Sequence, residues 1–276
     1  MKTKHLFNAG LLIGSALLAQ PASAQFQLMD NFSTYTDGPL AGQGGWQSPT
    51  GNGVTVSSGT AVIGDPGLVN PTYDALPVAI PHSSTAATFF MQFSLSGVTT
   101  TGNGNNFNFE LTQQSAPTDL SGSAQVQFNY DSTSSRLPAL RNGGSFAQIS
   151  INGTSVYTPL ADAIYSLWFV VNNSAGTYQA YLQGGDVTTQ TLLQSTTGVS
   201  TFTFRTATAN PLVAFNMGEG GTVGNTDPQT LYDLFEDPNG ANLTDPGLPT
   251  PEPGTFALLV LSVLLPAYKL GRRFIK

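Results

Sequence analysis

Hydrolysis of a glycoside needs two carboxyl groups facing one another across the scissile bond, and the carboxylates of this chain are not spaced to supply them. The nearest cluster, Asp233-Leu234-Phe235-Glu236-Asp237, falls in a strand-like stretch, where a spacing of three puts Asp233 and Glu236 on opposite faces. A Ser-His-Asp triad would have to use His82, which lies between Pro81 and Ser83, and no Gly-x-Ser-x-Gly turn is present. Cysteine is absent, which removes disulfides and thiolate chemistry. Zinc or copper sites built on His and Cys lack their donors. Gly102-Asn103-Gly104 and Gly218-Glu219-Gly220-Gly221 lack the lysine and the strand-to-helix setting of a phosphate loop, and read as turns. The chain is expected not to be an enzyme.

Binding offers more. Asp227, Asp233, Asp237 and Asn239 are hard oxygen donors near the end of the body. They make Ca2+ the one conceivable cofactor, although they lack EF-hand spacing and also read as solvated turn residues. A sugar ring stacks on an exposed aromatic face, with Asn or Asp beside it to hold hydroxyls. Trp46, within Gly44-Gly45-Trp46-Gln47, and Tyr73, beside Asp74, lie in such contexts. Packing is the competing reading for both aromatics, since large rings are mostly buried. Trp168, in an apolar stretch, reads as core.

Charge narrows the partners. Between Gln25 and Thr250 there are three basic residues (Arg136, Arg141 and Arg205), no lysine, and fifteen of the sixteen acidic residues, a formal charge of −12. Nucleic acid is excluded as a partner, because its binding depends on Lys and Arg neutralising phosphates.

The apolar period of the body is two. Phe89, Met91, Phe93 and Leu95 alternate with Thr88, Phe90, Gln92 and Ser94. Phe107, Phe109 and Leu111 alternate with Asn108 and Glu110, and Val126, Phe128 and Tyr130 with Gln127 and Asn129. Such segments form half-buried antiparallel strands, whereas the continuous apolar run Ile164–Val171 reads as a strand buried on both faces. Roughly ten to twelve strands separated by turn clusters favour an all-β, two-sheet antiparallel sandwich.

The two ends differ from this body. Lys2, Lys4 and His5 precede an apolar run to Ala19, and Ala22-Ser23-Ala24 supplies the small-x-small pattern of a cleavage site. Residues 1–24 are therefore expected to be a signal peptide with a short helix. Residues 25–248 form the sandwich, and 249–276 a tail. In that tail Pro251-Glu252-Pro253 breaks the chain, an apolar helix spans 256–268, and Lys269, Arg272, Arg273 and Lys276 follow. At about 1.5 Å per residue the helix covers only about 20 Å of a bilayer core of about 30 Å. It is a short transmembrane segment whose basic end stays on the cytoplasmic side.

Pro251-Glu252-Pro253, the apolar helix and the Arg272-Arg273 end closely resemble the PEP-CTERM sorting signal. That resemblance implies recognition by an exosortase, transient inner-membrane anchoring, and release to the cell surface or extracellular matrix of a Gram-negative-type bacterium. Pro266 within the helix departs from the usual pattern. A second resemblance rests on Ile164–Asn173 followed by Gly176–Leu182, with Asp30–Ser33 and Leu231–Glu236 as first and last strands. These stretches are similar to concanavalin A-like or laminin G-like jelly rolls. The laminarinase-like members of that fold carry a Glu-x-Asp-x-x-Glu strand, which is missing here. Together the resemblances imply an exported, non-enzymatic protein associated with exopolysaccharide. A structural coat or spacer protein with no defined ligand is the alternative, followed by a divergent glycan-active enzyme. The mature chain is expected to begin at Gln25, which N-terminal mass spectrometry of the exported protein reads directly; a chain retaining Met1 overturns the signal assignment.

Overall fold

A computed structural model describes residues 25–50, 53–64, 72–95, 106–115, 124–131, 136–151, 153, 155–206, 209–219 and 229–246. The expected signal peptide, the expected sorting tail with its helix, and Asp227 lie outside the described residues. Within them there is no helix, and none long and apolar enough to cross a membrane.

Seventeen strands are present among the described residues. The first six are β1 (Gln27–Asp30), β2 (Gly38–Pro39), β3 (Val54–Ser57), β4 (Thr60–Ile63), β5 (Thr72–Ile80) and β6 (Ala87–Leu95). There follow β7 (Asn106–Thr112), β8 (Ala124–Asp131), β9 (Arg136–Asn142), β10 (Ser145–Ser150), β11 (Ile164–Asn172) and β12 (Thr177–Gly184). The chain ends with β13 (Val187–Leu192), β14 (Gln194–Ser195), β15 (Phe202–Thr203), β16 (Leu212–Glu219) and β17 (Gln229–Asp237). The excess over the expected number lies in pieces such as β2, β14 and β15, which at two residues are too short to show a period.

All pairings are antiparallel, in two sheets. A ten-stranded sheet runs β13-β12-β11-β6-β17-β4-β3-β2, with β1 beside β17 and β15 beside β12. A seven-stranded sheet runs β14-β10-β9-β8-β7-β16-β5. The expected pairing of first and last strands is present, with Gln27 opposite Glu236 and Leu28 opposite Phe235. The expected central hairpin is β11–β12, in register from Tyr165–Gly184 to Asn172–Thr177.

The core lies between the sheets. Phe89 of β6 stacks on Phe215 of β16 at 4.9 Å, and Phe93 meets Phe109 of β7 edge-on at 5.2 Å. Each fully buried ring contributes about 1.5–3 kcal/mol through burial, with about 0.5–1.5 kcal/mol more per aromatic pair. A smaller cluster covers the outer face of the ten-stranded sheet: Phe90 lies 5.0 Å from Trp168 and 5.8 Å from Phe235, and Phe26 packs against it at 5.9 Å. The segment after β17 straps this cluster down. Trp168 Nε1 donates to the Thr244 carbonyl at 3.0 Å, Thr88 Oγ1 to Gly240 at 2.8 Å, and Gln190 Nε2 to Leu243 at 2.8 Å. Trp168 is thus core, as expected, and β11 is buried on both faces over most of its length.

The hairpin depends on one backbone position. Gly184 sits at φ +126°, where a Cβ would overlap the Ile164 carbonyl oxygen and come within 2.8 Å of Tyr165 Cα. Both obstacles are backbone, so they cannot rotate away. Gly184→Ala is expected to destabilise the fold by about 3 kcal/mol, combining strain with overpacking, measured as a lowered denaturation midpoint; an unchanged midpoint contradicts this geometry.

Candidate functional site

On the seven-stranded sheet, phenylalanines and leucines take the core face, and alternation turns their neighbours outward. The outward positions include Asn108 and Glu110 on β7, Gln125, Gln127 and Asn129 on β8, Arg141 on β9 and Asn216 on β16. Register places them in a transverse row, because Asn216 is opposite Glu110, and Glu110 is opposite Gln127. A half-buried sheet would leave this face in water. Instead Glu110 is 1 % exposed, Asn216 0 %, and Gln127 and Arg141 5 % each. The expectation of half-buried strands therefore fails for β7 and β8, which are closed on both faces.

Hydrogen bonds tie the row together. Arg141 donates from Nε and Nη2 to Gln127 Oε1 at 3.0 and 2.7 Å. Gln127 Nε2 donates to Glu110 Oε1 at 2.5 Å and to Asn108 Oδ1 at 2.9 Å. Asn129 Nδ2 reaches the same Asn108 oxygen at 2.6 Å, and Asn216 Nδ2 donates to Thr112 Oγ1 at 3.0 Å. Acceptors are left over in this row: Glu110 Oε2, Asn129 Oδ1 and Asn216 Oδ1 are buried and have no hydrogen-bond partner among the described residues. Each such atom costs about 1–3 kcal/mol. Burial holds the Glu110 carboxyl well above its ordinary range, against the opposing pull of the Arg141 and Arg205 charges and the Gln127 hydrogen bond.

Arg141 also forms part of the wall of a surface groove of about 880 Å³. Its guanidinium lies 3.7 Å above the Phe146 ring. Gln148, Ser195, Thr197 and Arg205 line the groove beside them. The turn after β14 is held by Ser195 Oγ, which accepts from the Val199 and Thr197 amides at 3.0 and 3.2 Å. Near Arg205, the Thr206 amide donates to the Gln125 side chain at 3.1 Å. The groove thus offers amide and hydroxyl groups beside two arginines, a set able to hydrogen-bond a polar ligand.

The aromatic candidates read from the sequence stand elsewhere. Trp46 is 2 % exposed and packs against Phe32 and Phe215. Its Nε1 donates to Asp30 Oδ2 at 2.6 Å, and the same carboxylate accepts from the Tyr35 hydroxyl and the Phe32 amide. A sugar-stacking role needs an exposed ring face, so Trp46 is corrected to a packing residue. Gly44 belongs to this cluster: at φ +52°, a Cβ there would overlap the Tyr35 phenol. Tyr73 and Asp74 are neighbours in sequence but opposite in face. Tyr73, opposite Gly218, shares the outer face with Asn216 but is 7 % exposed, whereas Asp74, opposite Met217, turns inward and is fully buried. They do not form one ligand site.

Of the calcium candidates, Asp233, Asp237 and Asn239 are among the described residues, and their surroundings are local ones. Asp237 accepts from the Asn239 amide at 3.1 Å and from Asn242 Nδ2 at 3.0 Å, serving the turn after β17. Asp233 has its carboxyl raised by burial and then by the charge of Asp245. Among the described residues no group of three or more His, Asp or Glu side chains could hold a metal ion. The residues the sequence reading missed are Glu110, Gln127, Arg141, Phe146 and Arg205. Their only signal was the run of amides and acids alternating with phenylalanines over 106–110 and 125–130.

No protein-family model matches this chain, and no curated protein matches it. Among solved structures, a sialidase is similar at 11 % identity and a TM-score of 0.51 over 77 % of this chain. The chain spans only 18 % of that sialidase, so the likeness concerns the fold of one portion. Peanut lectin is similar at 14 % identity and a TM-score of 0.49, over 77 % of this chain and 97 % of the lectin. The lumenal domain of VIP36 in its Ca2+/Man-bound form is similar at 12 % and 0.48, over 75 % of this chain and 90 % of that one.

Asp74 offers a test of the interior geometry. Burial pushes its carboxyl up to about 6, although Ser48 and the Val54 amide hydrogen-bond to it and pull the other way. A carboxyl raised in the folded state stabilises while protonated. That contribution is complete below the unfolded value near 4 and is lost as pH rises through about 6. Asp74→Asn should therefore match the parent in denaturant stability at pH 4 and exceed it at pH 8; equal stability at both contradicts the buried placement.

Proposed function

We propose that this chain is an exported, non-enzymatic surface or matrix protein whose jelly-roll-like body associates with exopolysaccharide. The observation that carries the reading is the groove beside Arg141, lined by the amide of Gln148, the hydroxyls of Ser145, Ser195, Thr196 and Thr197, and the side chain of Arg205. Sugars present hydroxyls that donate and accept, and such a lining answers both functions. The non-enzymatic assignment is supported by the make-up of the row. Asn216, Glu110, Gln127 and Arg141 include a single carboxylate, whereas glycoside hydrolysis uses two. The Pro251-Glu252-Pro253 motif and the Arg272-Arg273 end support export through an exosortase and transient inner-membrane anchoring.

The test is binding of the full chain, in mild detergent, to the producing organism's own exopolysaccharide, with calcium and with chelator. Saturable binding unaffected by chelator is expected. Ser145 is exposed at the groove, and Ser145→Trp, which places an indole there, should weaken binding at least tenfold without lowering the thermal midpoint. Absence of saturable binding in both conditions, with normal delivery to the surface, would replace this reading by that of a structural coat protein.

A further inference from the structure

Resting on that glycan reading, we infer that the chain carries a second sugar site, a cleft at the seam of the two sheets that takes a neutral sugar residue through Asp186. The cleft encloses about 310 Å³, and its lining includes Ser155, Val156, Tyr157, Thr158, Asp186 and Val187. That volume stands at the lower end of the roughly 300–1,000 Å³ common for small-ligand pockets. Its two walls come from different sheets. Tyr157 runs beside the seven-stranded sheet, donating its amide to the Ile149 carbonyl of β10 at 2.8 Å, whereas Asp186 lies in the turn between β12 and β13 of the ten-stranded sheet. The cleft shares no lining residue with the groove among the described residues. Along the chain, Ile149 and Ser150, which pair with β14, fall between Gln148 of the groove and Ile151 of the cleft.

Asp186 is exposed, and one of its oxygens is already committed: Oδ1 accepts the Tyr157 hydroxyl at 2.7 Å. Tyr157 is itself buried, and its hydroxyl lies 3.3 Å from that of Tyr165, which accepts the Leu160 amide at 2.7 Å. Burial raises the Tyr157 phenol far above its ordinary value, so it remains a donor. The turn rests directly on this pair, since a Cβ at Gly185, at φ +57°, would come within 2.4 Å of the Tyr165 hydroxyl. The carboxylate is therefore oriented before a ligand arrives, which removes an ordering cost of binding. Its Oδ2 is bonded by no described residue, and the exposed hydroxyls of Ser155 and Thr158 make no hydrogen bond among the described residues. Val156 and Val187 add apolar surface beside them. A sugar presents hydroxyls that donate, hydroxyls that accept and apolar C–H faces, and each finds its counterpart here. An acidic sugar would instead meet Asp186 as a like charge, with no Lys, Arg or His among the described lining residues to offset it. A calcium ion, which takes six to eight oxygens, would find a single carboxylate in that lining. With the groove and the cleft both occupied, one copy grips a polymer at two places or joins two strands, and the second contact adds avidity.

The experiment uses oligosaccharides from partial hydrolysis of the native exopolysaccharide, separated into neutral and acidic pools. Equilibrium dialysis measures their binding to the full chain in mild detergent. Ser145→Trp, which blocks the groove, isolates the cleft. In that variant the neutral pool should still bind saturably, at one fragment per chain. Adding Ser155→Trp, which fills the cleft from an exposed position, should weaken this binding at least tenfold. So should adding Asp186→Asn, which keeps an acceptor for Tyr157 but turns the free acceptor into a donor. Thermal midpoints confirm that each variant folds. Loss of all neutral-fragment binding in Ser145→Trp overturns the inference and, where the parent still binds the intact polymer, leaves the glycan reading standing. Binding in Ser145→Trp that survives either added substitution, or that is confined to the acidic pool, also overturns it. A parent that binds neither the fragments nor the intact polymer removes both.

Discussion

A polar side chain closed off from water is tolerable only when its hydrogen-bonding groups find one another, and the seven-stranded sheet is organised around that constraint. Arg141 leans on Gln127, Gln127 on Glu110 and Asn108, and Asn129 on Asn108, so that three adjacent strands are cross-linked through side chains as well as backbone. A one-residue slip of β8 would turn Gln127 and Asn129 into a core filled by phenylalanines and expel Val126 and Phe128. The row thereby enforces register more strictly than apolar alternation alone. It also determines where Arg141 stands. Removing the Gln127 amide would leave a buried guanidinium and a buried carboxyl to rearrange together, and the wall of the groove would move with them.

The ten-stranded sheet meets the opposite requirement. Its outer face carries Phe90, Trp168 and Phe235, which need a cover, and the segment after β17 supplies one by hydrogen-bonding to Thr88, Trp168 and Gln190. Phe26 joins the same cluster from the other end of the body. Both ends of the described chain are therefore tied to the outer face of one sheet, while the groove opens on the outer face of the other. The thickness of the sandwich separates whatever holds the ends from whatever occupies the groove.

Much of this architecture was legible because it rests on apolar periodicity. The β6, β7, β8, β11 and β12 strands follow from residues whose burial needs no partner beyond other apolar groups, whereas the pairing of β1 with β17 was implied only by the jelly-roll resemblance. The candidate site was not legible, because the same periodicity marks Asn108, Glu110, Gln127 and Asn129 only as facing away from the core. Whether that face meets water or is closed depends on tertiary cover, to which a period of two is blind. Trp46 shows the converse error. Its glycine-rich context suggested exposure, yet Asp30, sixteen residues earlier, accepts its indole N–H and makes burial feasible. Acceptors supplied from a distance in sequence leave no local trace, and for the same reason nothing local linked Arg141 to Arg205.

The charge distribution sets the groove apart from the rest of the body, since two of the three arginines between Gln25 and Thr250 line it. A body with a formal charge of −12 repels a polyanion at long range, and that repulsion is screened within about 8 Å at physiological ionic strength. Whatever the groove meets is therefore met by local hydrogen-bonding geometry rather than by the overall field, and the guanidinium held between Gln127 and Phe146 is a fixed part of that geometry.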